Sequence, residues 1–207
     1  MDFSHPLAVV TPTVDGDVLA VLAGADTDFT ASGIHRLLPH YGKRGIDKVL
    51  VRLMAQGIVL RTHEGRPGLY RLNRHHLAAG SIIELARQKD RLIELLEQEV
   101  SHAPIAVVHA ALFGSAARGG HTPTSDIDLL LIHPDGVGEE AWQEFLASLA
   151  AHVHRWTGND ARIISFSESE AMASITSDPL LQEVQFDGIP LTGGADWLAS
   201  ARRRARR

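Results

Sequence analysis

Apolar residues recur every three to four positions through much of the first hundred residues, and this spacing predicts helices. The first runs over Asp17–Ala23, after an entry segment, residues 1–14, that holds Pro6 and Pro12. The second occupies Thr27–Pro39, with Thr30 as a cap and Ile34, Leu37 and Leu38 as its inner face. The third runs over Arg44–Gln56, with Ile46, Val49, Leu50 and Leu53 as its stripe and Gly57 as a natural stop. The pattern then shortens. Ile58–His63 and Leu69–Leu72 read as two strands around the turn Glu64-Gly65-Arg66-Pro67-Gly68. Ser81 and Glu84 form a capping box that opens a long helix ending near Pro104. Its stripe of Ile82, Leu85, Leu92, Leu96 and Val100 suits a connector that packs on either neighbour, or a dimer seam.

The second half alternates solid apolar runs with helical spacing. Ile105–Phe113, Asp126–His133 and Ala161–Phe166 read as strands. Glu139–Trp156 reads as an amphipathic helix with Trp142, Phe145, Leu146 and Leu149 inward. Ser167 and Glu170 form a second capping box, and Asp178-Pro179 starts a helix through about Gln185. Phe186–Leu191 is a closing loop or short strand, and the final R-R-R-A-R-R reads as a mobile basic tail. The order β–α–β–α–β–α predicts a small mixed sheet covered by helices, an α/β core. The expected layout is an N-terminal domain at 1–80, a linker helix at 81–103, a catalytic domain at 104–194 and a tail at 195–207.

Charge sharpens the division. Residues 1–80 carry nine Lys/Arg and seven Asp/Glu, whereas residues 81–201 carry six and eighteen. Five Arg follow from Arg202, and the whole chain is at −5. Two halves of different charge suggest two functions. The chain has no Cys, which excludes disulfides, Cys-based zinc sites and thiol catalysis. It has no apolar run long enough to span a bilayer, and M-D-F-S-H-P lacks the features of a signal peptide. A soluble cytoplasmic protein with no membrane partner is expected.

The chemistry concentrates in Ala111–Ile132, A-L-F-G-S-A-A-R-G-G-H-T-P-T-S-D-I-D-L-L-L-I. Residues two apart in a strand share a face, so Asp126 and Asp128 point one way and Ile127 the other. Paired carboxylates repel unless a cation lies between them, and Mg²⁺ suits hard oxygen ligands together with a substrate phosphate. Gly114-Ser115 ends the first apolar run, where glycine lets backbone approach an anion closely. Arg118, one turn on, can neutralise phosphate charge. The twelve His offer no helical-face pair: His75-His76 are adjacent and His152/His154 are two apart, so solvated or packing roles are expected. His109 lies inside a strand and is expected to be partly buried.

Gly114-Ser115, a loop through Ser125, and Asp126-Ile127-Asp128 between apolar runs closely resemble the signature of the DNA polymerase β-like nucleotidyltransferase superfamily. The fuller G-S-A-A-R-G with S-D-I-D-L-L looks like the minimal nucleotidyltransferases of bacteria and archaea, which often serve in toxin–antitoxin pairs. The resemblance implies that Asp126 and Asp128 bind Mg²⁺ (or Mn²⁺), and that Gly114 and Ser115 hold an NTP triphosphate, with Arg118 and Ser125 beside it. It also implies a third, catalytic carboxylate within the strand Ala161–Phe166. That strand has no acid, and Arg162 stands where one is sought. Asp160 is the nearest substitute and Glu168 the second.

Three helices and a hairpin, roughly Val14 to Leu77, resemble a winged helix-turn-helix domain. That resemblance makes Lys43, Arg44, Lys48 and Arg52 candidates for DNA contact from the third helix, with Arg61, Arg66 and Arg71 on or beside the wing. The same domain can instead serve only for packing. Two functions follow as expectations. One is a Mg²⁺-dependent nucleotidyltransferase that moves an NMP from an NTP to a protein, tRNA or small-molecule acceptor. The other is a DNA-binding regulator whose transferase-like domain senses a nucleotide. A homodimer is a further candidate assembly.

Overall fold

The computed structural model describes residues 1–62, 68–192 and 197–205. It is an α/β chain that divides into two compact units. One comprises Asp2 and residues 4–89; the other comprises Met1, Phe3 and residues 90–207.

The N-terminal unit starts with a short 3-10 turn, Pro6–Val9, followed by α1 (Val14–Ala23), β1 (Phe29–Thr30), α2 (Ala31–Leu37) and α3 (Lys43–Ala55). Then come β2 (Val59–Arg61), β3 (Leu69–Leu72) and α4 (Ala79–Ala86). The hydroxyl of Thr30 accepts from Gly33 N–H at 2.9 Å, so the expected cap forms. Residues 29–30 also pair with β3, a strand too short to leave a periodic signal, and the antiparallel order is β1-β3-β2. Ile34, Ile46, Leu50 and Leu53 fill the core against Val18, Leu22 and Leu72. Leu37, read as inward, is instead 58% exposed, because α2 ends there and turns its last side chain out. The expected strand Ile58–His63 is shorter, and the turn residues 63–67 lie outside the described part.

The single linker helix expected over 81–103 is two helices. The backbone breaks at Arg87 and restarts as α5 (Gln88–Ser101). The N-cap of α4 is Ala78, so Ser81 lies inside the helix and caps nothing. Ile82, Ile83 and Ala86 pack on the N-terminal core, while Leu92, Leu96 and Val100 pack in the C-terminal one.

The C-terminal unit continues with β4 (His109–Phe113), α6 (Gly114–Arg118), β5 (Ile127–His133), α7 (Glu139–Thr157) and β6 (Ala161–Ser167). It closes with α8 (Glu168–Ser174), α9 (Pro179–Asp187), β7 (Ile189–Pro190) and α10 (Trp197–Ala205). The sheet order is β6-β5-β4-β7. β5 runs parallel to β6 and antiparallel to β4, and β4 is antiparallel to β7. Side-chain alternation sends Ile127, Leu129 and Leu131 to one face, against Trp142, Phe145, Leu149 and Val153 of α7. Leu130 and Ile132 go to the other face, against α8, α9 and α10. The Ser167–Glu170 capping box forms as expected. The basic end is not a free tail over its described residues: Leu198 and Ala201 are buried, and Arg202 donates to Gln185 at 2.9 Å.

Candidate active site

The site lies where β4 ends and β5 begins. Antiparallel register sets Phe113 opposite Asp128, so the turn leaving β4 falls beside the carboxylate. That turn is Gly114, at φ +67, a left-handed conformation natural only to glycine. A Cβ at Gly114 would collide with the Asp128 carboxylate and stand 3.0 Å from its Cγ. Both conformation and proximity therefore require glycine.

Asp128 shares its face with Leu130 and Ile132, and its side chain is 15% exposed. Burial raises its carboxyl above the usual range; Arg162 opposes that, while Asp126 and Glu183 add to it. Asp126 precedes β5 by one residue and is exposed. The approach to it is fixed by Asn159, which is buried and donates through Nδ2 to the carbonyls of Thr122 (3.3 Å), Pro123 (3.0 Å) and Ser125 (2.9 Å). Ser125, expected near the nucleotide, accepts Thr122 N–H at 3.1 Å and lies 2.8 Å from the Thr122 hydroxyl. Its oxygen closes this loop. Ser115 Oγ stands 3.4 Å from Nδ1 of the buried His121, whose ring stacks on Phe3.

The parallel register aligns Asp128 with Arg162, and Arg162 Nε forms an ion pair with Asp128 at 3.1 Å. A guanidinium thus occupies the strand position where the resemblance implies a third carboxylate. Asp160 precedes β6 at the correct end of the sheet. Its side chain is 85% exposed and pairs with His154 of α7 at 3.2 Å. Glu168 is excluded as the third acid at this site. It follows Ser167, which aligns with His133 at the far end of β5, and the five residue steps from Arg162 to Ser167 span about 17 Å.

Two carboxylates that sequence reasoning missed come from α9. Arg118 pairs with Glu183 at 2.5 Å and lies 3.8 Å from Asp187. The hydrogen bond to Glu183 holds the Arg118 guanidinium above its usual range, and Glu183 also acts on Asp128. The signal in the sequence was two acids four apart, hence on one helical face, but a helix ended at Gln185 hides it. The site therefore joins Asp126, Asp128, Glu183 and Asp187 with Arg118 and Arg162. The two aspartates offer hard oxygen ligands for a divalent cation, and Arg162, 61% exposed, has room to swing away from Asp128.

The other predicted residues lie in the N-terminal unit. Lys43, Arg44 and Lys48 are exposed on α3. Arg52, on the same helix, is ion-paired with Asp15. Arg61 is exposed, and Arg71 is held by Asp28 at 2.7 Å. Arg66 lies outside the described residues.

No significant relative is found among curated proteins. Solved structures of partial likeness include a toxin–antitoxin complex with AMP-PNP, 21% identical, covering 57% of this chain and 83% of that one, with a TM-score of 0.38. The toxin–antitoxin MntA–HepT is 20% identical, with coverages of 57% and 81% and a TM-score of 0.34. The tri-AMPylated Shewanella oneidensis HEPN toxin in complex with MNT antitoxin is 20% identical, with coverages of 57% and 87% and a TM-score of 0.33. Residues 89–171, running from α5 into α8 and taking in Gly114, Asp126, Asp128 and Arg162, match the family model of the nucleotidyltransferase domain.

Proposed function

We propose that the C-terminal unit transfers a nucleoside monophosphate from an NTP to an acceptor group on a protein, a tRNA or a small molecule. The observation that carries this reading is the Asp126/Asp128 pair, with Asp128 closed against Gly114, inside the segment that matches the nucleotidyltransferase domain. Asp126 and Asp128 would hold Mg²⁺ or Mn²⁺. When bound, such ions neutralise phosphate charge and lower the cost of displacement at the α-phosphorus. Gly114 and Ser115 position the triphosphate through close backbone approach. Arg118 supplies positive charge to it after exchanging Glu183 for phosphate oxygens. Asp160 is the proposed third acid, at the right end of β6 and needing to leave His154.

The second reading is a nucleotide sensor, and the ion pair between Arg162 and Asp128 favours it. A cation already beside the metal-binding carboxylate suits binding without turnover. In both readings the order α1, α2, α3, β2, β3 supports a winged helix. Lys43, Arg44 and Lys48 are the proposed DNA contacts, Arg61 at the end of β2 is a further one, and Arg52 joins only on release from Asp15.

The test uses purified protein, each α-labelled NTP, Mg²⁺ or Mn²⁺, and tRNA or cell lysate as acceptor. Label transferred by the intact chain and not by the Asp126→Ala/Asp128→Ala variant establishes the enzyme. Metal-dependent nucleotide binding without transfer, lost in the same variant, establishes the sensor. Transfer that survives the double substitution rejects the assignment.

A further inference from the structure

The N-terminal unit contains a cluster of titratable side chains gathered around a buried carboxylate. Asp17 lies on the buried side of α1, among Val18, Leu22 and Ala23, and is 6% exposed. A buried carboxylate is costly unless paired. Here three polar groups from two other segments converge on it. His5, ahead of the 3-10 turn, places Nδ1 3.0 Å from both Asp17 oxygens. Tyr41 donates its hydroxyl to Oδ2 at 2.7 Å. His40 brings Nε2 to 3.7 Å from the same Oδ2, too long for a hydrogen bond. Satisfying Asp17 accounts for Tyr41 and His5. It does not account for His40 Nε2, although the His40 ring itself packs against Tyr41 (centroids 4.2 Å) and edge-on to His5 (5.6 Å).

One nitrogen from each imidazole and a carboxylate oxygen lie within 4.8 Å of one another. Metal–ligand bonds of about 2.0–2.2 Å in a tetrahedral shell put ligand atoms roughly 3.3–3.5 Å apart, and the observed 3.0 and 3.7 Å bracket that value. A cavity of about 330 Å³ opens beside the group, bordered by Asp2 and Thr13, with space for a water or another small ligand in the remaining position. The donor set is two imidazoles and one carboxylate, which suits Zn²⁺, Co²⁺ or Ni²⁺ better than Mg²⁺.

We infer that His5, Asp17 and His40 form a site for a transition-metal ion of the Zn²⁺ class, separate in chemistry from the all-carboxylate pair Asp126/Asp128. The ion takes the place of the proton that His5 Nδ1 shares with Asp17. Tyr41, which donates to Oδ2 of the same carboxylate, orients it, as a neighbour of a metal ligand commonly does. The bound ion ties the entry segment and α1 to the turn that launches α3, since Lys43 follows His40 by three residues.

The test is titration of the full chain with Co²⁺ in excess Mg²⁺, followed by visible d–d absorption, with Zn²⁺ as competitor. The expected result is uptake of one equivalent, unchanged in the Asp126→Ala/Asp128→Ala chain and in His75→Gln/His76→Gln. His5→Gln and His40→Gln should each weaken it at least about tenfold, since even outer partners of metal ligands are worth that much. Both positions are over one third exposed, so these variants keep the fold, as circular dichroism checks. Zn²⁺ should raise the melting temperature of the parent and of neither His variant. Absence of saturable Co²⁺ uptake in the parent overturns the site, and so does undiminished uptake in both variants.

Discussion

At the scale of single residues, Gly114 and Arg162 decide what the Asp pair can do. Gly114→Ala forces a side chain into a left-handed backbone and onto Asp128. It should cost about 1–3 kcal/mol of stability and remove metal-dependent nucleotide binding; urea unfolding and a nucleotide titration measure the two. Arg162→Ala acts in the opposite sense. A partly exposed ion pair is worth about 0.2–1 kcal/mol, so its loss should tighten Mn²⁺ binding no more than about fivefold, read by Mn²⁺ titration with nucleotide present. His109 gives a pH dependence. It is 2% exposed, both ring nitrogens lack a hydrogen-bond partner among the described residues, and burial pushes its pKa down to about 4 from 6.5. Between those values the unfolded chain binds the proton and the native one does not. Stability is therefore full above pH 6.5 and falls as pH drops toward 4, by up to about 3 kcal/mol. His109→Leu should flatten that part of the urea-midpoint profile.

At the scale of elements, α9 governs access to Arg118. Glu183→Gln weakens the contact that occupies the guanidinium and should raise NTP affinity about two- to fivefold, in line with an exposed pair, as fluorescence titration with a labelled nucleotide reads directly. Elements whose cause is local were legible from sequence. The α3 stripe, the Thr30 cap and the Ser167 capping box each rest on residues within one or two turns. Elements set by packing were not. β1 is two residues that exist only because β3 pairs with them, and the break at Arg87 lies beside the boundary between the two units, with α4 in one core and α5 in the other. α10 hides its buried Leu198 and Ala201 under a run of arginines. The same division holds within the candidate site. The shared face of the Asp pair follows from a two-residue repeat, and Gly114 from the turn after an apolar run. Glu183 reaches Arg118 only through the docking of α9, and Glu168 lies away from the site because β6 runs parallel to β5.

At the scale of the whole molecule, a basic-balanced N-terminal unit and an acidic C-terminal unit carry separate clusters. One joins two imidazoles to a buried carboxylate; the other joins four carboxylates and two guanidinium groups. Among the described residues, no helix is long and apolar enough to cross a membrane. The C-terminal unit is layered, with α7 and α5 covering one face of the sheet and α8, α9 and α10 the other.

β5, like β4, is flanked on both edges and covered on both faces, and Leu129 through Ile132 have no exposed surface. Its amide hydrogens should exchange with deuterium only when the unit opens as a whole. Asp128 sits one residue before that stretch, whereas Gly114–Arg118 and Thr122–Asp126 lie in a short helix and a loop that can open alone. Nucleotide should therefore slow exchange across 114–126 by local protection. Any slowing at Leu129–Leu131 would then measure the gain in global stability, so one deuterium-labelling time course separates occupancy of the site from stiffening of the sheet beneath it.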